Sequence, residues 1–260
     1  MPSAGILATR TRPRDGTSTS HPFRHQGEPM NSSNPTVVLV HGAFVDGSGW
    51  QPIHDILTDA GLDVAVTQHP TRSLAEDVTE VHQVIEAQDG LVLLVGHSYG
   101  GVVITEAGTH PQVAGLVYVA AFAPDAGESV ASMLAEPDPN TPAPPIVPRK
   151  DSSLVVDRDH FHDAFAADLP AGQARFMADS QIPWGGAALS TAVTEPAWQS
   201  KPSWYVIATD DRMIPPAAQE GMAARAGASV ETVAASHSVY VSQPEAVADL
   251  IKRAAKAIDL

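Results

Sequence analysis

Leu91-Val92-Leu93-Leu94-Val95-Gly96-His97-Ser98-Tyr99-Gly100-Gly101-Val102-Val103-Ile104 is the stretch on which the fold of this chain turns. Its five leading apolar residues do not alternate with polar ones, so they read as a strand buried on both faces of a sheet. Helical spacing begins again at Val102. Between strand and helix stands G-x-S-x-G, the pattern of a sharp turn that holds a serine in a strained backbone conformation at the top of a sheet. Gly96 and Gly100 leave the room that strand and helix need to approach one another. Five residues of this kind are a weak pattern alone. Between a buried strand and a helix they become a strong one.

Further apolar runs occur at 37–40, 64–66, 116–120 and 205–208, with a weaker one at 230–233. Helical stripes lie between them. Ile53, Ile56, Leu57 and Ala60 share one face that Gly61 can end. Ser73 and Glu76 form a capping-box pair ahead of Leu74, Val78, Val81 and Ile85, and Ser242 with Glu245 repeats it before Val247, Leu250, Ile251, Ala254 and Ile258. Strands that alternate with helices predict an α/β fold with a mostly parallel sheet and helices on both faces.

A serine in that turn needs a base to become a nucleophile, and the base needs an orienting carboxylate, in the chain order Ser, Asp, His on such a sheet. Thr209-Asp210-Asp211-Arg212-Met213-Ile214-Pro215 leaves the 205–208 strand at its carboxyl end, where these sheets place their sites. Either aspartate suits the position. Of the 11 histidines, His237 lies after the last strand and before the last helix, the right topological point. His54, His69, His82 and His110 read as surface or turn positions. His160 and His162 lack the further ligands a metal site requires. Val40-His41-Gly42-Ala43-Phe44 leaves the first strand, so the backbone N–H of Ala43 and that of Tyr99 are expected to face a developing oxyanion. His41 reads as a loop-holding hydrogen-bond partner.

Residues 124–194 break the rhythm. Pro124, Pro137, Pro139, Pro142, Pro144, Pro145 and Pro148 crowd their first third and exclude a long helix or a central strand there. Phe161, Phe165, Leu169, Phe176, Met177 and Trp184 follow, too apolar for a linker. The stretch is therefore expected to be a cap inserted between core segments 35–123 and 195–260. Phe161, Phe165, Phe176, Met177 and Trp184, with Phe44 from the core, are expected to line a substrate pocket. Residues 1–34 carry Arg10, Arg12, Arg14 and Arg24 among Ser, Thr, Pro and Gly, without a secretory apolar region, and read as a disordered extension. Met30 stands just before the first strand.

Composition narrows the function. The chain has 260 residues, 15 Lys and Arg against 30 Asp and Glu, and a formal charge of -15. Such a surface repels phosphate, so neither nucleic acid nor an anionic membrane is an expected partner. Cys is absent, which removes disulfides, thiolate metal sites and a cysteine nucleophile together. No apolar run reaches membrane-spanning length, and a cytoplasmic location is expected.

These segments resemble the α/β-hydrolases, and more narrowly the plant methylesterase and hydroxynitrile lyase group with its bacterial esterase relatives. The likeness rests on Val37-Val38-Leu39-Val40-His41-Gly42-Ala43 with Gly49-Trp50, on Gly96 to Gly101, on Ala120-Ala121-Phe122-Ala123-Pro124-Asp125, on Asp211 to Pro215 and on His237. It implies Ser98 as nucleophile, Asp211 as acid, His237 as base and Ala43 as an oxyanion donor. In the lyases a Thr typically holds the place of Gly42 and a Lys that of Ser238, so the resemblance favours hydrolysis of a small apolar ester without cofactor or metal. Lactone or carbon–carbon hydrolysis, acyl transfer, perhydrolysis and a ligand-binding role on the same fold are the alternatives.

Overall fold

The computed structural model describes residues 34–135 and 143–258. The expected N-terminal extension falls outside them save for Asn34, as do Pro137, Pro139 and Pro142. In chain order the elements are β1 (Thr36–Val40), α1 (Gln51–Asp59), β2 (Val64–Val66), α2 (Leu74–Glu86), β3 (Val92–His97), α3 (Gly100–Ala107), β4 (Val113–Val119) and α4 (Val130–Met133). There follow β5 (Ile146–Pro148), β6 (Leu154–Val156), α5 (Phe161–Phe165), α6 (Ala171–Asp179) and α7 (Gly186–Ser190). The chain then forms β7 (Ser203–Ala208), α8 (Pro216–Arg225), β8 (Ser229–Val233), α9 (Val239–Ser242) and α10 (Pro244–Ile258).

Six strands form a parallel sheet in the order β2-β1-β3-β4-β7-β8. The unbroken apolar runs have the reason anticipated for them. Val38, Val40, Val92 and Leu94 enter one core layer with α2 and α3, while Val37, Leu39, Leu93 and Val95 enter the other with α1 and α10. Successive side chains of a strand point to opposite faces. A sheet covered on both sides therefore needs apolar residues at every position. In α10, Val247, Leu250, Ile251 and Ala254 are buried, so that helix closes the second layer.

Two helix ends depart from expectation. Ala60 lies beyond α1 and is exposed, because the helix stops at Asp59 and Gly61 takes up φ +82° just after it. Ser242 does not cap α10. It belongs to the short α9, and its hydroxyl donates to the Ser238 carbonyl at 3.4 Å. By contrast, Ser73 Oγ accepts the Glu76 N–H at 3.3 Å, as a cap should.

The sheet sets the place of the site. From β1 the chain moves outward to β2, then returns to place β3 on the other side of β1. Strand order reverses between β1 and β3, and sheets of this kind open a crevice at the carboxyl ends of such a pair. Here those ends lead into His41-Gly42-Ala43 and into Ser98. The 143–194 segment brings the two-stranded β5–β6 sheet, extended by a bridge from Leu154 to Trp184, and the short helices α5 to α7.

Candidate active site

Ser98 sits between β3 and α3 with φ +55°, the left-handed region that an L-residue occupies only under strain. The turn closes because its neighbours lack side chains. A Cβ on Gly96 would stand 2.5 Å from the Gly100 carbonyl oxygen, and one on Gly100 would stand 2.6 Å from those of Val40 and His41. This crowding pushes the Ser98 hydroxyl out of the turn.

It meets His237. Ser98 Oγ lies 2.9 Å from His237 Nε2, and His237 Nδ1 lies 2.8 Å from Asp211 Oδ2. A carboxylate only accepts, so Nδ1 carries the proton and Nε2 presents its lone pair to the serine hydroxyl. All three residues are buried. Asp211 Oδ1 also accepts the N–H groups of Met213 at 2.7 Å and Ile214 at 3.0 Å. Asp210 is exposed, and its backbone N–H goes to the Ala235 carbonyl. Asp125, from the matched Ala-Pro-Asp segment, accepts from Ala126 and Gln199 instead.

Gln219 was not legible as a site residue. Fully buried in α8, it donates from Nε2 to Asp211 Oδ2 and to the Ile214 carbonyl, both at 2.8 Å, and its Oε1 accepts the Ala208 N–H at 3.1 Å. No spacing rule in the sequence distinguishes this glutamine from a surface one. The His237 loop is likewise held by partners far away in sequence. Ser236 donates to the Asp168 carboxylate, and Ser238 Oγ donates to the Phe165 carbonyl at 2.8 Å.

Among the described residues no acceptor takes the backbone N–H of Ala43 or that of Tyr99. His41 holds the loop that carries Ala43. Its Nδ1 donates to the Gly42 carbonyl at 2.9 Å, and its Nε2 accepts the His69 N–H at 3.3 Å. His69 is no turn-surface residue: it is buried and stacks on His41 with ring centroids 3.7 Å apart. Burial, reinforced by the charge of His41, brings His69 down to about 2. His97, inside the elbow, is also fully buried and donates from Nε2 to the His237 carbonyl at 2.9 Å. Desolvation holds it neutral, far below an ordinary histidine.

The expected pocket residues separate into three groups. Phe44 and Trp184 line a chamber of about 20 Å³ in front of Ser98, together with Ala43, Tyr99, Phe122 and Met213. Phe161 and Phe165 do not line it. Their rings stack at 4.9 Å, and Phe165 sets its edge against His237 at 4.7 Å, so α5 backs the imidazole. Phe176, 70% exposed, and Met177 line a separate cavity of about 300 Å³. In α6 the buried residue is Ala174, while Phe176 stands in solvent and Met177 is only partly buried, a relation that sequence order does not reveal.

Asp77 supports the elbow from behind. Its carboxylate accepts Tyr99 Oη–H and the Thr71 N–H, each at 2.8 Å. Burial outweighs those bonds and pushes Asp77 from 3.8 up to about 6. The folded chain therefore holds this proton more tightly than the unfolded one, and stability falls as pH rises from about 4 to 6. Relative to Asp77→Asn, wild type is expected to lose about 2–4 kcal/mol across that window. Urea unfolding of both proteins at a series of pH values checks it. A difference that stays flat would mean that the carboxyl does not titrate there.

A doubly wound parallel sheet whose switch point carries a buried Ser–His–Asp line has the architecture of a hydrolase scaffold. The chain belongs to the alpha/beta hydrolase family, whose model matches residues 37–250. It is 28% identical over 246 residues to the alpha/beta hydrolase nvfD of Aspergillus novofumigatus, covering 85% of this chain and 96% of that one. It is 35% identical over 111 residues to a carbendazim hydrolyzing esterase of a Nocardioides species, covering 37% of this chain and 46% of the relative. In structure it is similar to a pyrethroid hydrolase from Sphingobium faniae, with a TM-score of 0.74 at 24% identity, covering 86% and 98% of the two chains. Among the described residues no helix is long and apolar enough to cross a membrane.

Proposed function

We propose that this protein is a serine ester hydrolase acting on small neutral esters in the cytoplasm, with residues 124–194 serving as a cap over the 35–123 and 195–260 core. The observation that carries this reading is the unbroken hydrogen-bonded line from Ser98 Oγ through His237 to Asp211. The esterase relative supports the choice of bond.

Ser98 Oγ attacks the ester carbonyl while its proton passes to His237 Nε2. The imidazolium that forms is stabilised by Asp211. Negative charge gathers on the carbonyl oxygen, where the Ala43 and Tyr99 N–H groups can receive it, each donor worth about 10²–10³ in rate in comparable sites. Collapse of this intermediate breaks the bond to the alcohol, which leaves with the proton from His237. A water molecule then attacks the acyl-serine, gives its proton to His237, and releases the acid as the proton returns to Ser98.

Two measurements test the reading. Mixing the protein with p-nitrophenyl acetate is expected to release a burst of about one p-nitrophenol per active site before steady turnover, because deacylation waits on water. The second is His237→Ala, which removes the proton acceptor and is expected to lower kcat by orders of magnitude. Undiminished turnover in a folded variant excludes His237 as the base.

A further inference from the structure

We infer that Phe44 is a partition between the Ser98 chamber and the neighbouring cavity, and that this cavity receives the bulky aromatic arm of an ester whose other arm is short. The inference rests on the proposed esterase function and names its substrate class.

Room is the first consideration. The chamber of about 20 Å³ in front of Ser98 is scarcely more than the space of one water molecule, which needs about 10–15 Å³ by the same kind of measure. A carbonyl can enter it, whereas the rest of an ester of any size cannot. The second cavity, of about 300 Å³, matches the smaller end of small-molecule sites, which run to roughly 300–1,000 Å³. Phe44 is the residue that lines both.

Phe44 is also built unusually. It follows the oxyanion-loop residue Ala43 and holds φ +70°, a conformation that costs a non-glycine residue on the order of 1–3 kcal/mol. Its buried ring makes edge contacts with Trp184 at 5.7 Å and with Phe165 at 6.5 Å. A partition of this kind requires this one side chain to rotate, since it lines both spaces. The larger cavity has an aromatic and sulfur lining in Phe44, Phe176, Tyr240 and Met177, which favours a flat ring. Asp46 at its edge disfavours an anionic arm.

The test blocks the cavity from its outer side. Gln173 lines it and is exposed on α6, so Gln173→Trp intrudes on the space while leaving Phe44 and the catalytic line unsubstituted. The probes are 2-naphthyl acetate and methyl 2-naphthoate as bulky esters, ethyl acetate as the short one, and 2-naphthol as an arm without an ester. Gln173→Trp is expected to lower kcat/KM for the better naphthyl ester by at least about tenfold relative to ethyl acetate, and to weaken 2-naphthol binding by a similar factor. Phe44→Ala, which joins the spaces permanently, is expected to raise the same kcat/KM ratio. An unchanged ratio and unchanged naphthol affinity in Gln173→Trp overturn the inference, whether or not Phe44→Ala folds. Should wild type hydrolyse no ester, the esterase reading fails, while the naphthol titration still decides whether the cavity binds the arm.

Discussion

Ser98→Ala is expected to lower ester turnover by about 10⁴–10⁶, the range found when the nucleophile of such a relay is removed. Among the described residues no other hydroxyl is hydrogen-bonded to His237. Ser98 Oγ is the atom 2.9 Å from His237 Nε2, whereas Ser236 and Ser238 direct their hydroxyls to Asp168 and Phe165. The fold should survive, because alanine adopts the φ of +55° at much the same cost as serine and needs less space. Three results together define the outcome: turnover lost, a cooperative melt retained, and organophosphonate label absent from the variant but mapped to residue 98 in wild type. Substantial activity in the variant, or labelling at another serine, ends the assignment.

The second large effect separates two adjacent carboxylates. Asp211→Asn is expected to lower kcat by about 10⁴, and Asp210→Asn to change it less than about threefold. Asp211 accepts four donors: His237 Nδ1, Gln219 Nε2 and the N–H groups of Met213 and Ile214. An asparagine would turn an NH₂ toward one of those donors, and the least damaging rearrangement flips the imidazole tautomer. His237 Nε2 would then carry a proton and could not accept one from Ser98. Asp210, exposed, faces none of these groups. Steady-state kinetics on both variants, with their melting temperatures, settle the ranking. If Asp210→Asn proves the damaging change, the acid lies one residue back; two near-normal variants would move it out of this turn altogether.

Much of this architecture could be read from local pattern. Runs such as 37–40 and 92–95 lack polar residues because both faces of the sheet are covered, and that requirement acts on each residue separately, whereas Leu91 precedes β3 and is 49% exposed. Gly96, Ser98 and Gly100 are confined to one short turn, so the strain and the close approach that the elbow needs are written within five positions. Helix caps were less dependable. Ser73 caps α2, yet Ser242 has the same spacing and bonds to Ser238, because the packing of α9 against its neighbours, rather than the capping pattern, sets that turn.

What the sequence determined by itself is therefore the order of strands and helices, the elbow, and the candidacy of Ser98, His237 and an aspartate after β7, all of which depend on neighbours a few residues apart. The tertiary structure decided which aspartate meets the imidazole, that Gln219 and Asp77 stand behind the site, that His69 stacks on His41, and that Phe161 and Phe165 back His237 rather than face Ser98. These relations join residues separated by as many as 72 positions, as Phe165 and His237 are. Each depends on the rotation of a strand end or a short helix by a fraction of a turn. Hydrophobic pattern reports that a side chain is buried, but the direction it takes and the group it meets emerge only when the layers pack.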